Sequence, residues 1–255
     1  MSDIRTDDLN TGPFDTWAVI EAKRAEAVKT IPIKVDHKAA TRQAIIVELR
    51  RAKREVKTRS EWKAKDAAKT LNADWDYQGI ALHHAGNSFS CEADSDGQIH
   101  KIEQIDLKKF KQVSYHYAIG CDGVIYEALD IRNKGSHIAE GNTGVIGIVM
   151  LADFSVRGEA YKEEYASKSW FGKIRGVLDW MPDKLDVVTD EPQGPQIEAL
   201  YTLVKTLCKY FPISALGGHR EFQRLATNEG RACPGAYGMI LVDMLRRDLG
   251  MKGPK

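Results

Sequence analysis

The sequence predicts an α/β domain, in which a central β-sheet is flanked by helices, behind a helical N-terminal extension. From Trp75 onward, short β-prone segments alternate with helical patterns. Before that point the β pattern is missing, and apolar residues recur at helical spacing. We therefore assign residues 1–57 to the extension and 58–250 to the domain, with a long insertion at about 153–194.

The extension begins with a polar stretch, 1–13, which ends in a breaker cluster and is predicted to be unstructured. From there to about Lys57 the pattern indicates a helix, with apolar residues at helical spacing (Ile45, Leu49, Ala52 and Val56) and basic residues on other faces. There are two interpretations of this helix. Its basic face contacts an anionic envelope or a partner protein, or the face is exposed to solvent while the rest of the helix packs against the main domain.

Three strand signals follow in the domain. Gly79–His83 is a β-prone segment that ends in polar residues. Ser114–Gly120 is followed by an Asp-Gly turn at 121–123 and by Val124–Glu127, which together predict a hairpin. Val145–Leu151 is apolar on both faces and therefore predicts a buried central strand.

Two helices are predicted near the C-terminus. One begins at Pro195 and has an apolar face of Ile197, Leu200, Val204, Leu207 and Phe211. The other runs from about Tyr237 to Leu249 and ends at Gly250. The long connection at 153–194 carries several aromatic residues, and we expect a partly helical excursion that borders the active site.

Charge and hydropathy exclude some functions. The 37 basic and 36 acidic side chains nearly cancel, which gives no support for nucleic acid as the main partner. The apolar runs are of strand length, so no transmembrane segment is expected. The polar, acidic start is not typical of a signal peptide, and we expect synthesis in the cytoplasm. The four cysteines show no paired spacing, which favours a reduced state.

Metal-capable side chains concentrate at three places: His83 with His84, His219, and Cys233. Two imidazoles and one thiolate form a plausible three-ligand zinc set that leaves a fourth position for water. Adjacent strand residues point to opposite faces, so His83 and His84 do not easily serve the same metal. Periodicity does not decide which of them does. Taken singly, each histidine is more often structural than a ligand, and a lone cysteine is usually a core residue.

A series of short blocks, in order along the chain, resembles the family of peptidoglycan recognition proteins. The resemblance spans about Thr58 to Leu249 and is carried by Thr58–Trp62, Trp75–Ser88, Ser114–Glu127, Gly135–His137, Gly144–Ile148, Gly217–Glu221 and Ala232–Gly235. It implies the fold of the zinc N-acetylmuramoyl-L-alanine amidases, shared with phage-type amidases, in which a mixed central sheet is flanked by helices.

The resemblance implies one zinc ion held by His83, His219 and Cys233. Members that bind peptidoglycan without cutting it typically lack the cysteine, so Cys233 favours an enzyme. The implied reaction is hydrolysis of the amide bond between N-acetylmuramic acid and L-alanine. The alternative is a non-catalytic protein that binds muramyl peptides.

The resemblance also implies roles around the metal. Tyr115 matches an active-site tyrosine that orients the water or hydrogen-bonds the oxyanion; without the resemblance it would be a core aromatic residue. Arg231 is a candidate for stabilising developing negative charge. His137 matches a position that contacts substrate rather than zinc, although a satisfied structural histidine is an alternative, and we assign His84 with it to substrate binding.

The chain departs from the family pattern at three points, one of which is the excursion at 153–194, longer than in typical relatives. The stretch from His219 to Cys233 is long, and 223–229 is interpreted as an insertion that must fold back for Cys233 to reach the metal. Cys91 stands where animal relatives begin a disulfide loop, but no second cysteine follows nearby. We therefore expect the bridge to be absent, in keeping with a bacterial or phage protein.

The expected partners are the stem peptide and the glycan of peptidoglycan, which lie outside the cytoplasmic membrane. Three routes are compatible with a chain for which no signal peptide is expected. A phage lysin is released through a holin, and an injected antibacterial effector acts in the periplasm of a target cell. The effector requires an immunity protein in its producer. The third route is cytosolic recycling of soluble muropeptides.

Overall fold

The computed structural model describes residues 17–24, 27–34, 36–86, 88–156, 159 and 190–255, the first two ranges as backbone only. The chain divides into two compact units, one up to Val47 and one from Glu48 onward. The predicted unstructured start, 1–13, lies outside the described residues.

The N-terminal unit contains a β-hairpin where a helix was predicted. Strands β1 (Trp17–Arg24) and β2 (Ala27–Lys34) pair antiparallel, with Trp17 opposite Lys34. The helical prediction is therefore wrong for this stretch. Both segments contain β-branched residues, and Pro32 would disrupt the interior of a helix. The predicted helix is present later, as α1 (His37–Arg51).

A six-stranded mixed sheet forms the centre of the second unit. Its strands are β3 (Val56–Lys57), β4 (Gly79–His84), β5 (Tyr117–Ile119), β6 (Ile125–Glu127), β7 (Val145–Met150) and β8 (Ala215–Gly218). They lie in the order β3-β6-β5-β7-β4-β8, and only the β5–β6 pair is antiparallel. The predicted hairpin is confirmed as β5–β6. Because β3 belongs to the sheet, the sheet begins before the predicted boundary at residue 58.

Strands β4 and β7 form the centre of this sheet. They pair in parallel over their whole length, from Gly79 opposite Val145 to His84 opposite Met150. Every residue of both strands is buried, as expected for a parallel pair that is covered on both faces. The predicted central strand is therefore confirmed, and β4 extends one residue further than predicted, through His84.

Helix α2 (Ser95–Phe110) was not predicted from the sequence. It begins after Asp94, whose carboxylate accepts a hydrogen bond from the Gly97 backbone N–H at 2.7 Å. Ile99 and Ile102 pack in a core cluster with residues of β5, β6 and β7. The same buried face also carries polar and acidic side chains (Gln98, Glu103 and Asp106), which obscures the amphipathic pattern in the sequence.

Three further helices pack against the sheet. They are α3 (Gly194–Tyr210), α4 (His219–Thr227) and α5 (Gly235–Leu249). α4 and α5 pack on β4 and β8, and α3 packs on β5 and α5. The two helices predicted near the C-terminus are confirmed as α3 and α5, and Gly250 ends α5 in the left-handed conformation, with a φ of 65°. Within the described ranges, no helix is long and apolar enough to cross a bilayer.

Only the two ends of the predicted insertion at 153–194 are described, together with residue 159. The backbone N–H of Asp190 donates to the carbonyl of Asp153 at 2.8 Å, and Oδ2 of Asp190 accepts from the Asp153 N–H at 3.3 Å. The two ends of the insertion therefore lie next to each other. The predicted helical content and the aromatic residues of the excursion lie outside the described residues.

A disulfide joins Cys91 to Cys121, which corrects the expectation of a reduced chain without this bridge. Cys91 precedes α2 and Cys121 follows β5, and their Cα atoms lie 5.4 Å apart. The two cysteines are 30 positions apart in the sequence, with all of α2 between them, so sequence spacing gave no indication of the pair. The bridge is present, so the argument for a bacterial or phage origin that rested on its absence no longer holds.

Candidate active site

The register of the sheet brings His83 and His219 side by side. Strands β4 and β8 run parallel with Leu82 opposite Gly218, so the next residue of each chain segment emerges at the same edge. His83 is the fifth residue of β4, and His219 opens helix α4. Their ring centroids are 4.5 Å apart.

Cys233 reaches these two histidines from the loop between α4 and α5. The stretch interpreted as an insertion begins inside α4, which ends before Asn228, a residue with a left-handed φ of 58°. The loop then returns, and the Arg220 N–H donates to the Cys233 carbonyl at 2.9 Å. Sγ of Cys233 lies 3.6 Å from Nδ1 of His83. The ligand atoms of His83, His219 and Cys233 all lie within 4.8 Å of one another.

An ion pair with a buried carboxylate holds the chain on both sides of Cys233, and sequence reasoning missed it. The Arg220 guanidinium donates to Oε1 of Glu159 at 2.5 Å and also to the carbonyl of Ala232. Oε2 of Glu159 accepts from the Ala236 N–H at 3.0 Å, in the first turn of α5. Arg220 lies in the Gly-His-Arg block, which was an available signal, whereas Glu159 has no comparable motif.

Tyr115 lies beside the histidines, just before β5. Its ring centroid is 4.9 Å from that of His83 and 6.1 Å from that of His137. The preceding residue, Ser114, donates its backbone N–H to Oδ2 of the buried Asp106 at 2.8 Å, which fixes the chain on the N-terminal side of the tyrosine.

His137 is buried next to His83. Its Nδ1 lies 3.1 Å from Nε2 of His83, and its Nε2 lies 3.3 Å from the Val145 carbonyl oxygen. Two glycines border the ring: a Cβ at Gly135 would lie 2.6 Å from it, and one at Gly147 would lie 2.7 Å from it. Since real Cβ atoms do not approach so closely, both positions require glycine.

The last two predicted site residues, His84 and Arg231, contact groups other than the three candidate ligands. Nδ1 of His84 accepts from the Phe154 N–H at 3.0 Å and lies 3.3 Å from Oδ1 of Asp153. The Arg231 guanidinium pairs with Glu229 at 2.8 Å on the same loop. The structure therefore brings His83, His219, Cys233, Tyr115 and His137 together, whereas the described hydrogen bonds of the His84 and Arg231 side chains are to other groups.

Comparison with known sequences identifies the family. The sequence profile described as N-acetylmuramoyl-L-alanine amidase (Amidase_2) matches residues 73–236, which is more than half of the chain. The chain belongs to this amidase family. The match includes all seven predicted site residues.

Relatives and solved structures agree with this amidase family. Peptidoglycan-recognition protein SC2 of Drosophila melanogaster is 30% identical over 101 residues, which are 38% of this chain and 55% of the relative. The chain thus spans about half the length of such insect relatives. Amidase LysC from Clostridium intestinale has a TM-score of 0.53 at 16% identity, covering 78% of this chain and 99% of that one.

A second structural neighbour is the ectodomain complex of peptidoglycan recognition proteins LCa and LCx bound to tracheal cytotoxin. Its TM-score is 0.54 at 17% identity, and the alignment covers 76% of this chain and 95% of that one. At such identities these neighbours establish the fold alone. The fold is thus common to an amidase and to a complex of peptidoglycan recognition proteins.

Burial determines the protonation states of the histidines and the tyrosine at this site. Desolvation, together with the nearby His219 and His137, holds the pKa of His83 well below its usual 6.5. Burial lowers the pKa of His219 to about 4, and the neighbouring Arg231 charge contributes. Burial raises the pKa of the Tyr115 phenol well above 10, with smaller contributions from Cys233 and Asp106. At neutral pH the two imidazoles are therefore neutral, the form that binds metals.

Gln223 is a further residue of this amidase-family site that the sequence analysis missed. It follows His219 by one helical turn on α4, is 1% exposed, and has Oε1 3.3 Å from Nε2 of the histidine. The i, i+4 spacing on a helix was the available signal, because such side chains lie on one face. The sequence analysis overlooked this signal because it assigned Gln223 to the start of an inserted loop.

Proposed function

We propose that this protein hydrolyses the amide bond between N-acetylmuramic acid and L-alanine of peptidoglycan, with one zinc ion held by His83, His219 and Cys233. The observation that carries the proposal is the approach of these three ligand atoms to within 4.8 Å of one another. Membership of the amidase family supports the substrate and the reaction class.

The donor set fits zinc. Two neutral imidazoles and a thiolate are the nitrogen and sulfur ligands that zinc prefers, and three protein ligands leave a position open, as in catalytic zinc sites. Bound there, zinc supplies a Lewis acid and lowers the pKa of a coordinated water to about 7. This chemistry meets the needs of amide hydrolysis, since an amide is a poor electrophile.

The chain's own residues supply the rest of the reaction. The Tyr115 hydroxyl is a hydrogen-bond donor at neutral pH, and its ring lies beside His83. We assign it to the developing oxyanion or to the orientation of the attacking water. Arg231 remains a proposed source of positive charge near His219, and His84 remains a proposed substrate contact. His137 is now better explained as a partner of His83 than as a substrate contact, because both its ring nitrogens contact protein groups.

Digestion of intact sacculi and of soluble muropeptides, analysed by mass spectrometry together with metal content, tests the proposal. The expected product is a free stem peptide with an N-terminal alanine. Both zinc and product should be lost in Cys233→Ser but retained in Cys208→Ser, a matched control because Cys208 is the exposed free cysteine. Full cleavage by a chelator-treated, metal-free sample would refute the zinc mechanism.

A non-catalytic muramyl-peptide-binding protein is the alternative. It is favoured by the structural neighbour bound to tracheal cytotoxin and by the recognition proteins among the relatives. The same digest distinguishes the two functions, because a binding protein retains muropeptides without releasing the stem peptide. Cys233 in the ligand cluster is the feature that favours the enzyme.

We further propose action outside a reducing cytosol, as a lysin or an antibacterial effector whose producer carries an immunity protein. The Cys91–Cys121 disulfide supports this proposal, because such bonds persist in oxidising compartments. It counts against cytosolic recycling. Faster cleavage of intact sacculi than of soluble muropeptides is the expected result, and the reverse preference would favour recycling.

A further inference from the structure

We infer that Gln223 and His137 are positioning residues that fix the tautomers of the two imidazole ligands, so that His219 and His83 both turn Nδ1 toward the metal. The inference rests on the zinc site of the proposed function. It goes beyond that function by assigning a role to Gln223 and by giving His137 a role other than substrate contact.

The orientation of the Gln223 amide follows from its backbone partner. The Ala139 N–H lies 3.0 Å from one end of the amide, and a backbone N–H only donates, so that end is Oε1. The other end, Nε2, donates to Thr227 Oγ1 at 2.7 Å and to the Ala139 carbonyl at 3.3 Å. Both ends of the amide are thus held. A flipped amide would place its nitrogen against the Ala139 N–H and its oxygen against the Ala139 carbonyl.

The tautomer of His219 follows from this orientation. Its Nε2 lies 3.3 Å from Oε1 of Gln223, and an amide oxygen only accepts. Nε2 of His219 therefore carries the hydrogen, and in a neutral ring Nδ1 carries the lone pair. The metal-binding atom of His219 is consequently Nδ1.

The same reasoning applies to His83 through a chain of two rings. The Val145 carbonyl accepts from Nε2 of His137 at 3.3 Å, so Nδ1 of His137 is an acceptor. Nε2 of His83, 3.1 Å from that Nδ1, therefore carries the hydrogen. Nδ1 of His83 is left with its lone pair, and this is the atom that lies 3.6 Å from Sγ of Cys233.

One short loop supports both partners. Oδ1 of Asn142 accepts from the backbone N–H groups of His137 and Ile138 at 2.7 and 2.8 Å, and Ala139 is the residue that holds Gln223. The 137–142 loop thus orients both ligand imidazoles without itself contacting the metal. Partners of this kind typically contribute 10- to 100-fold to metal affinity.

Zinc affinity, measured by competition with a chromophoric chelator, tests the role of Gln223. We expect Gln223→Leu to weaken zinc binding by about 10- to 100-fold. Gln223→Glu keeps an acceptor oxygen toward His219 but loses the amide donor, so it should bind zinc more tightly than Gln223→Leu and less tightly than the wild type. The matched control is Thr227→Val, which removes a partner of the amide nitrogen and leaves Oε1 in place. Equal affinity in Gln223→Leu and wild type would overturn the inference.

Nitrogen-15 spectra of the histidine rings in the wild-type metal-free protein provide a readout that does not depend on a variant folding. Protonation at Nε2 in both His83 and His219 is expected, and protonation at Nδ1 in either would overturn the inference. Neither measurement uses activity. A protein that binds zinc with these tautomers but does not cleave peptidoglycan would disprove the proposed function and leave the inference standing.

Discussion

Sγ of Cys233 lies 3.6 Å from Nδ1 of His83, although 150 residues separate them in the chain. Two features produce this contact. The parallel sheet brings the end of β4 to the edge where α4 begins, and the Arg220–Glu159 pair holds the returning loop.

Tyr115→Phe tests the proposed oxyanion or water contact. The substitution removes the hydroxyl and keeps the ring that packs against His83. We expect kcat to fall by about 10²- to 10³-fold, the usual effect of losing one such donor, with KM little changed. Zinc content should be the same as in the wild type. An unchanged kcat in a zinc-loaded variant would exclude the catalytic role.

Arg220→Met should loosen the Cys233 loop. It leaves the buried Glu159 carboxylate without its cation, which typically costs about 3 to 5 kcal/mol of stability. We expect lower stability in denaturant titration and weaker zinc binding. Arg224→Met is the matched control, since Arg224 is exposed on the same helix. Adding Glu159→Gln should restore part of the loss, and no restoration would argue against the ion pair.

Cys91→Ser should destabilise the protein without changing the zinc binding that we propose. The bridge closes a loop of about 30 residues, for which chain entropy gives about 3 to 4 kcal/mol. Denaturant titration with and without reductant measures the effect. Reductant should bring the wild type down to the stability of the variant and leave Cys91→Ser unchanged. A wild type that is indifferent to reductant would contradict the bridge.

The buried His116 should make stability depend on pH. Nδ1 accepts from the Gly147 N–H at 3.0 Å, and Nε2 faces the Asn133 carbonyl at 3.0 Å. Burial lowers its pKa from the usual 6.5 to about 4. Between these values the unfolded chain binds a proton that the folded protein excludes. The contribution of His116 to stability is therefore complete above pH 6.5 and is lost as the pH falls toward 4.

Comparison with His116→Gln isolates this effect, because glutamine also offers a donor and an acceptor but does not titrate. As the pH falls from 7 to 4, the wild type should lose at most about 3 kcal/mol of unfolding free energy relative to the variant. Asp106, whose pKa burial raises to about 6, changes stability in the opposite direction, but it is present in both proteins and cancels. A pH-independent difference would contradict the prediction.

Local sequence patterns predicted the elements whose burial is simple. β7 is apolar on both faces, α3 and α5 carry clear apolar stripes, and an Asp-Gly turn marks the β5–β6 hairpin. α2 escaped prediction because its buried face mixes apolar and acidic side chains. The N-terminal hairpin escaped because apolar spacing was weighted above β-branched residues and Pro32.

The sequence by itself determined the types of residue at the candidate site. Ligand chemistry and ordered family motifs selected His83, His219 and Cys233 as metal ligands and added Tyr115. Their catalytic roles remain predictions. The tertiary structure decided which groups support them, since strand register, loop return and helix packing join residues far apart in the chain. The Cys91–Cys121 bridge, the Arg220–Glu159 pair and the partners His137 and Gln223 all depend on such contacts, which no local pattern encodes.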